Sequence, residues 1–144
     1  MHKDFWQHYA DIPLKRELKA QRAENLQGPV ISIVVPLFNT PARYFKQMTG
    51  SVLHQTYTNW QLVLVDAGDA AHAQCSAKAA ALAQKDARIV YRKVENAGIA
   101  ANTTKGFEAA TGEYLTLLDH DDVLYPNALY DVVRAIQSTG ADFV

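Results

Sequence analysis

The run Ile31-Ser32-Ile33-Val34-Val35 constrains the fold more than any other segment. It is short, β-branched and almost free of polar side chains. Such a run suits a strand covered on both faces, the kind found in parallel sheets sheathed by helices. The segments that follow alternate. Phe45, Met48 and Val52 recur at helical spacing, Trp60 to Val65 reads as a second strand ending at Asp66, and Ala73 to Gln84 is alanine-rich and helical. Arg88 to Val94 reads as a third strand. Ile99 to Ala110 reads as a helix with small residues on one side (Thr103, Gly106, Ala110), and Gly112 suits its C-cap. Tyr114 to Leu118 is a fourth strand ending at Asp119. Pro126 opens a last helix whose stripe is Leu129, Val132, Val133 and Ile136, and Gly140 stops it. Strands alternating with helices predict βαβ units, an α/β fold with a mostly parallel sheet flanked by helices.

The two ends read differently. Residues 1–29 form a helical lead-in or linker with an aromatic start (Phe5, Trp6, Tyr9). Leu14, Leu18 and Leu26 fall roughly on one helical face, Pro13 suits a start, and Gly28-Pro29 suits a stop. The near-balanced charge of this segment argues against a helix lying on a membrane. The folded unit is expected over residues 30–144. Ala141-Asp142-Phe143-Val144 looks like the opening of a fifth strand. A domain that stops on entering a strand leaves backbone groups unpaired, so the expectation is a domain truncated on its C-terminal side.

Composition removes several classes of function. Fourteen basic against fifteen acidic side chains give a net charge of −1, whereas nucleic-acid binding needs a basic surplus. Cys75 is the one cysteine, which excludes an internal disulfide. Met1-His2-Lys3-Asp4-Phe5-Trp6 holds no apolar signal-peptide core. The longest apolar stretch, Val30 to Phe38, is far short of the roughly 20 residues of a membrane span.

In an open parallel sheet, ligands bind beyond the carboxyl ends of the strands. Four polar clusters fall there: Pro36-Leu37-Phe38-Asn39-Thr40, Asp66-Ala67-Gly68-Asp69, Glu95-Asn96-Ala97-Gly98 and Asp119-His120-Asp121-Asp122. Residues 113–144 hold six acidic side chains against one basic, Arg134, so the last cluster lacks local cancelling charge. A bound Mg²⁺ or Mn²⁺ shared with a diphosphate would supply it. The competing reading is a solvated turn, with Asp122 capping the next helix. His120 could be a ligand, but alternating side-chain direction favours packing. Phe38 is either a flat partner for a nucleobase or ordinary core. Asp66 either accepts a hydrogen bond from a base or ribose or caps a turn. Asn96 and Gly98 read as a turn before a helix whose N-terminus suits a phosphate. There is no Gly-x-Gly-x-x-Gly, no Walker A lysine, no metal-ligand spacing of histidines and no evident Ser-His-Asp set. A receiver-type signalling domain would need acidic residues directly after the first strand, where this chain has Leu37-Phe38-Asn39.

Taken in order, these segments resemble the nucleotide-binding half of the family 2 glycosyltransferases, which have the GT-A (Rossmann-like) fold. The likeness runs from about Val30 to Val144. It includes Ile-Ser-Ile-Val-Val-Pro-Leu-Phe-Asn-Thr, Ser51 to Trp60 (Ser-Val-Leu-His-Gln-Thr-Tyr-Thr-Asn-Trp), Asn96-Ala97-Gly98-Ile99-Ala100, Ala110-Thr111-Gly112-Glu113-Tyr114 and Leu118-Asp119-His120-Asp121-Asp122. The resemblance implies a nucleotide-sugar site at Pro36, Phe38, Asn39, Asp66, Asn96, Gly98, Asp119, His120 and Asp121. Phe38 would lie against the base, with Asp66 beside it. Asp119 to Asp121 would be the Asp-x-Asp motif, with Asp121 the direct ligand of Mn²⁺ or Mg²⁺ and Asp119 facing ribose or metal. It further implies a nucleotide-diphosphate sugar donor, of UDP type, and a glycan or lipid-linked acceptor in bacterial surface-polysaccharide or glycoconjugate synthesis. Transfer would be of hexosyltransferase type and inverting. The catalytic base would lie beyond Val144, leaving this chain alone inactive. The location implied is cytoplasmic, with any attachment to the inner face of the membrane made by parts outside this chain. Two departures stand out. The family's usual second aspartate after the second strand is Ala67, with Asp69 where a serine is usual, and Thr103-Thr104 stands where Arg-Asn or Thr-Asn is common. A non-catalytic nucleotide-sugar-binding module is the alternative that Ala67 supports.

Overall fold

The computed structural model describes residues 15–144. Helix α1 (Lys15–Glu24) leads into β1 (Ile31–Leu37), α2 (Ala42–Leu53) and β2 (Trp60–Asp66). A short 3₁₀ turn (Ala70–His72) precedes α3 (Ala73–Lys85), β3 (Ile89–Lys93), α4 (Ile99–Ala109), β4 (Tyr114–Leu117) and α5 (Ala128–Thr139). The sheet order is β3-β2-β1-β4, and every pairing is parallel. Register places Leu37 beside Asp66 and Asp66 beside Lys93.

The β-branched run does what its composition requires. Ile31, Ile33, Val35 and Leu37 face one layer, where Phe45, Met48 and Val52 of α2, Cys75 and Ala79 of α3, and Leu129, Val133 and Ile136 of α5 cover them. Val34, Val63 and Val65 point to the other face. There α4 lies so close that a Cβ on Gly106 would sit 2.3 Å from Val34 Cγ1 and 3.0 Å from Val65 Cγ2. The small side of α4 read from the sequence is therefore its sheet-facing side.

Gly112 is not a C-cap. Ala110 ends α4 in an extended conformation. A Cβ on Gly112 would lie 2.6 Å from both Ser32 Oγ and Val30 O, so Gly112 is small because the chain passes against β1. The backbone there is held by a buried network. Gly112 N donates to Ser32 Oγ at 2.8 Å, Ser32 Oγ donates to Gln61 Oε1 at 2.7 Å, and Thr111 N donates to the same oxygen at 2.9 Å.

Other expectations shift at the ends. Helix α5 starts at Ala128 rather than Pro126, because Pro126 and Asn127 form a turn before it. Gly140 does end it, in the left-handed region at φ 66°. Residues 141–144 form no strand; Tyr114 donates its hydroxyl to Ala141 O at 3.0 Å, and Phe143 is exposed. Helix α1 buries none of its residues. It is held by polar contacts instead, with Arg22 donating to His54 O at 3.1 Å and Thr56 donating to Gln21 Oε1 at 2.9 Å. Leu18 is half-buried and Leu26 touches the core, while Phe5, Trp6, Tyr9, Pro13 and Leu14 lie outside the described residues. On β4, Leu115 and Leu117 are 52% and 55% exposed, on the same side of the sheet as their register partners Ser32 and Val34.

Candidate functional site

All four strands run the same way, so the loops after Leu37, Asp66, Lys93 and Leu117 share one edge of the sheet. The expected residues are distributed along it unequally.

After β1, Pro36 is half-buried at the strand's end, and Phe38 leaves the core with 49% of its surface exposed. The reading of Phe38 as ordinary core therefore fails. Asn39 follows with φ 49°, a left-handed backbone that asparagine tolerates better than most residues. Its side chain is engaged by the β2 loop. Asn39 Nδ2 donates to Asp69 Oδ2 at 3.1 Å, and Asp69 N donates to Asn39 Oδ1 at 3.0 Å.

After β2, Asp66 is 3% exposed and fully occupied with its own surroundings. Gly68 N donates to Oδ1 at 2.8 Å, Tyr91 OH donates to Oδ2 at 2.8 Å, Ser76 Oγ also donates to Oδ2, and Lys93 Nζ lies 3.2 Å away. Burial pushes its pKa up, but the donors Ser76, Gly68, Tyr91 and Lys93 outweigh it and hold the carboxyl below its usual range. Burial and the bond to Asp66 in turn push the Tyr91 hydroxyl up to about 12. Asp66 thus caps its turn, the second of its two sequence readings, and anchors a buried cluster. Ala67 is 5% exposed, and its methyl group offers no hydrogen bond where the family's second aspartate would.

After β3, Asn96 Oδ1 accepts from Gly98 N at 3.1 Å and from Asn102 Nδ2 at 3.0 Å, while Ala97 N donates to Asn102 Oδ1 at 3.2 Å. Gly98 is the N-cap of α4 at φ 90°, a conformation that side chains resist. Thr103 and Thr104 lie inside α4, and Thr104 donates to Ala100 O at 3.0 Å.

After β4, Asp119 to Asp122 form a turn in which Asp122 N donates to Asp119 O at 3.1 Å. Asp119, Asp121 and Asp122 are exposed, and no other side chain engages their carboxylates among the described residues. Asp122 does not cap α5; Asn127 occupies that position, and its side chain donates to Asp131 rather than capping a backbone N–H. His120 is half-buried, yet its Nδ1 is buried with no hydrogen-bond partner, as is Thr40 Oγ1 on the neighbouring loop.

Among the described residues, no group of three or more His, Cys, Asp or Glu is arranged to hold a metal by itself. An ion shared with a diphosphate needs only one or two protein carboxylates. The free oxygens of Asp119 and Asp121 fit that requirement.

Sequence reasoning missed Ser76, Tyr91, Lys93 and Asn102. Lys93 was recoverable, since the third strand ends with a cation where parallel register brings it to Asp66.

The family model for glycosyl transferase family 2 matches residues 32–144. The chain belongs to glycosyltransferase family 2. Its relatives include the glycosyltransferase GlyG of Streptococcus pneumoniae, 33% identical over 116 residues, which span 80% of this chain and 38% of GlyG. The uncharacterized protein y4gI of Sinorhizobium fredii is 37% identical over 119 residues, 77% of this chain and 12% of that protein. The chain thus spans well under half the length of these relatives. Among solved structures, S. aureus TarS 1-349 in complex with UDP has a TM-score of 0.67 at 20% identity, over 78% of this chain and 33% of that one. The mannosyltransferase PcManGT of Pyrobaculum calidifontis, in complex with GDP-Man and Mn²⁺, has a TM-score of 0.62 at 18% identity, over 98% of this chain and 39% of that one. The fold is the α/β arrangement of GT-A glycosyltransferases. Among the described residues, no helix of this family 2 chain is long and apolar enough to cross a membrane.

Proposed function

We propose that residues 30–144 bind the nucleotide-diphosphate sugar donor of a metal-dependent, inverting glycosyltransferase, with residues 1–29 as a lead-in or linker. The observation that carries this reading is the turn at Asp119 to Asp122, whose exposed carboxylates engage no side chain of their own among the described residues, on the same sheet edge as the exposed ring of Phe38. Three carboxylates within four residues, with no side-chain partner among the described residues, suit a shared cation.

In this reading Phe38 stacks on the base of a UDP-type donor, Pro36 borders it, and Asp66 keeps the adjacent loop in place. Gly98 and the N-terminus of α4 face the phosphates. His120 and Asp119 border the ribose or sugar, and Asp121, with Asp119, holds Mn²⁺ or Mg²⁺. Such an ion supplies Lewis-acid neutralisation of the departing diphosphate. The acceptor, a glycan or lipid-linked sugar of a bacterial envelope polymer, would be bound and deprotonated by a part of the protein that is not in this chain. On that view the chain alone binds donor without transferring it, and the protein works on the cytoplasmic side of the membrane.

A second reading has its own observation. Ala67 puts a buried methyl group between Asp66 and Gly68, which suits a binding module that has lost catalysis. Calorimetric titration of UDP with and without Mn²⁺ tests the donor site. Binding that requires Mn²⁺ and is lost in Asp121→Ala supports it; no UDP binding in either condition overturns it.

A further inference from the structure

We infer that Asn39 and Asp69 form a positioning clamp that sets the Phe38 ring for the nucleotide, an inference that rests on the donor-binding reading above. The clamp is reciprocal. The Asn39 amide donates to Asp69 Oδ2 at 3.1 Å, and its oxygen accepts from Asp69 N at 3.0 Å. Both polar ends of Asn39 are therefore used within the protein, so Asn39 acts through its neighbour rather than by touching ligand.

The β2 loop is the rigid partner. Asp69 Oδ1 accepts from Ala71 N at 3.0 Å and from His72 Nδ1 at 2.7 Å. Gly68 is fixed on both sides, its N–H by Asp66 and its carbonyl by Lys93 Nζ at 2.6 Å. A Cβ on Gly68 would already stand 3.4 Å from Asn39 Oδ1, which shows how closely the loops meet. Asn39 borrows that rigidity. It holds φ 49°, a conformation with little intrinsic preference, directly after Phe38. Phe38 is half-exposed, so core packing alone does not fix where its ring points. A ring whose backbone is fixed in advance loses less freedom on stacking.

The test is UDP affinity in Mn²⁺ by calorimetry, on the full chain, with the melting temperature measured alongside. Asn39→Asp sets oxygen against oxygen, and Asp69→Asn sets amide against amide. Each is expected to weaken UDP binding about tenfold, a difference of about 1.4 kcal/mol. The exchanged pair, Asn39→Asp with Asp69→Asn, keeps the bond donated by the backbone of residue 69, rebuilds the side-chain bond with its donor reversed, and should restore affinity. In a Phe38→Ala chain, Asn39→Asp should change affinity by less than about twofold, because coupled residues are not additive. Asn39→Gly, which accepts the left-handed backbone freely, should also weaken binding should a charged variant misfold. Single variants that bind like the wild type overturn the clamp and leave the donor site standing. So does an equal loss in the Phe38→Ala chain. A wild-type chain that binds no UDP removes the donor reading and the clamp with it.

Discussion

Tyr91 donates its hydroxyl to Asp66 Oδ2 at 2.8 Å, which ties the middle of β3 to the carboxyl end of β2 from inside the protein. The pair titrates in opposite directions. Asp66 is held below its ordinary 3.8, so its stabilisation is present above that value and is lost as pH falls through the lower folded value. Tyr91 is raised from 10.0 to about 12, so its stabilisation is present below 10.0 and lost as pH climbs toward 12. Melting temperature against pH should therefore fall at both limits. Tyr91→Phe should flatten the alkaline fall; a wild-type curve unchanged between pH 10 and 12 would count against the bond.

Gly112→Ala should destabilise the chain by about 1–3 kcal/mol, the range for forcing atoms into filled space. The new Cβ would meet the Val30 carbonyl at 2.6 Å, which is backbone and cannot swing aside. Denaturant melts check this. A loss below half a kcal/mol, the ordinary scale for surface changes, would mean the passage against β1 is looser than described.

Phe38→Ala separates stability from binding. The ring is 49% exposed, so the melting temperature should barely move. Base stacking on an aromatic ring is worth about 1–3 kcal/mol, so UDP affinity should drop about tenfold or more. A large loss of stability with unchanged affinity would return Phe38 to the core.

Chelation of Mn²⁺ by EDTA should abolish UDP binding, and Asp121→Asn should weaken it at least about tenfold. Asp122→Asn should do less, as Asp122 lies outside the Asp-x-Asp pair. Equal effects at both positions would point to bulk charge rather than a defined ligand.

Much of this was readable from the residues, for a physical reason. Ile31 to Val35 has one viable environment, a doubly covered strand, and parallel strands then bring Phe38, Asp66 and Asp121 to one edge without further information. What was not readable depends on contacts between distant loops. Asp66 alone cannot announce Ser76, Tyr91 and Lys93, because those residues reach it across register and helix packing. Asn39 and Asp69 are thirty positions apart and meet only because β1 and β2 end side by side. Gly112 was legible as a glycine, but not whether it served a left-handed turn or a close approach. The start of α5 was misplaced because Pro126 suits the turn before a helix as well as its first residue.

The bare flank of β4 has a practical outcome. Among the described residues this strand has a single neighbour, β1, so a row of amides and carbonyls stays open beside Leu115 and Leu117. Open ladders next to exposed leucines recruit further strands. Concentrated solutions of the isolated chain should self-associate, and a lysine at Leu117 should keep them clear.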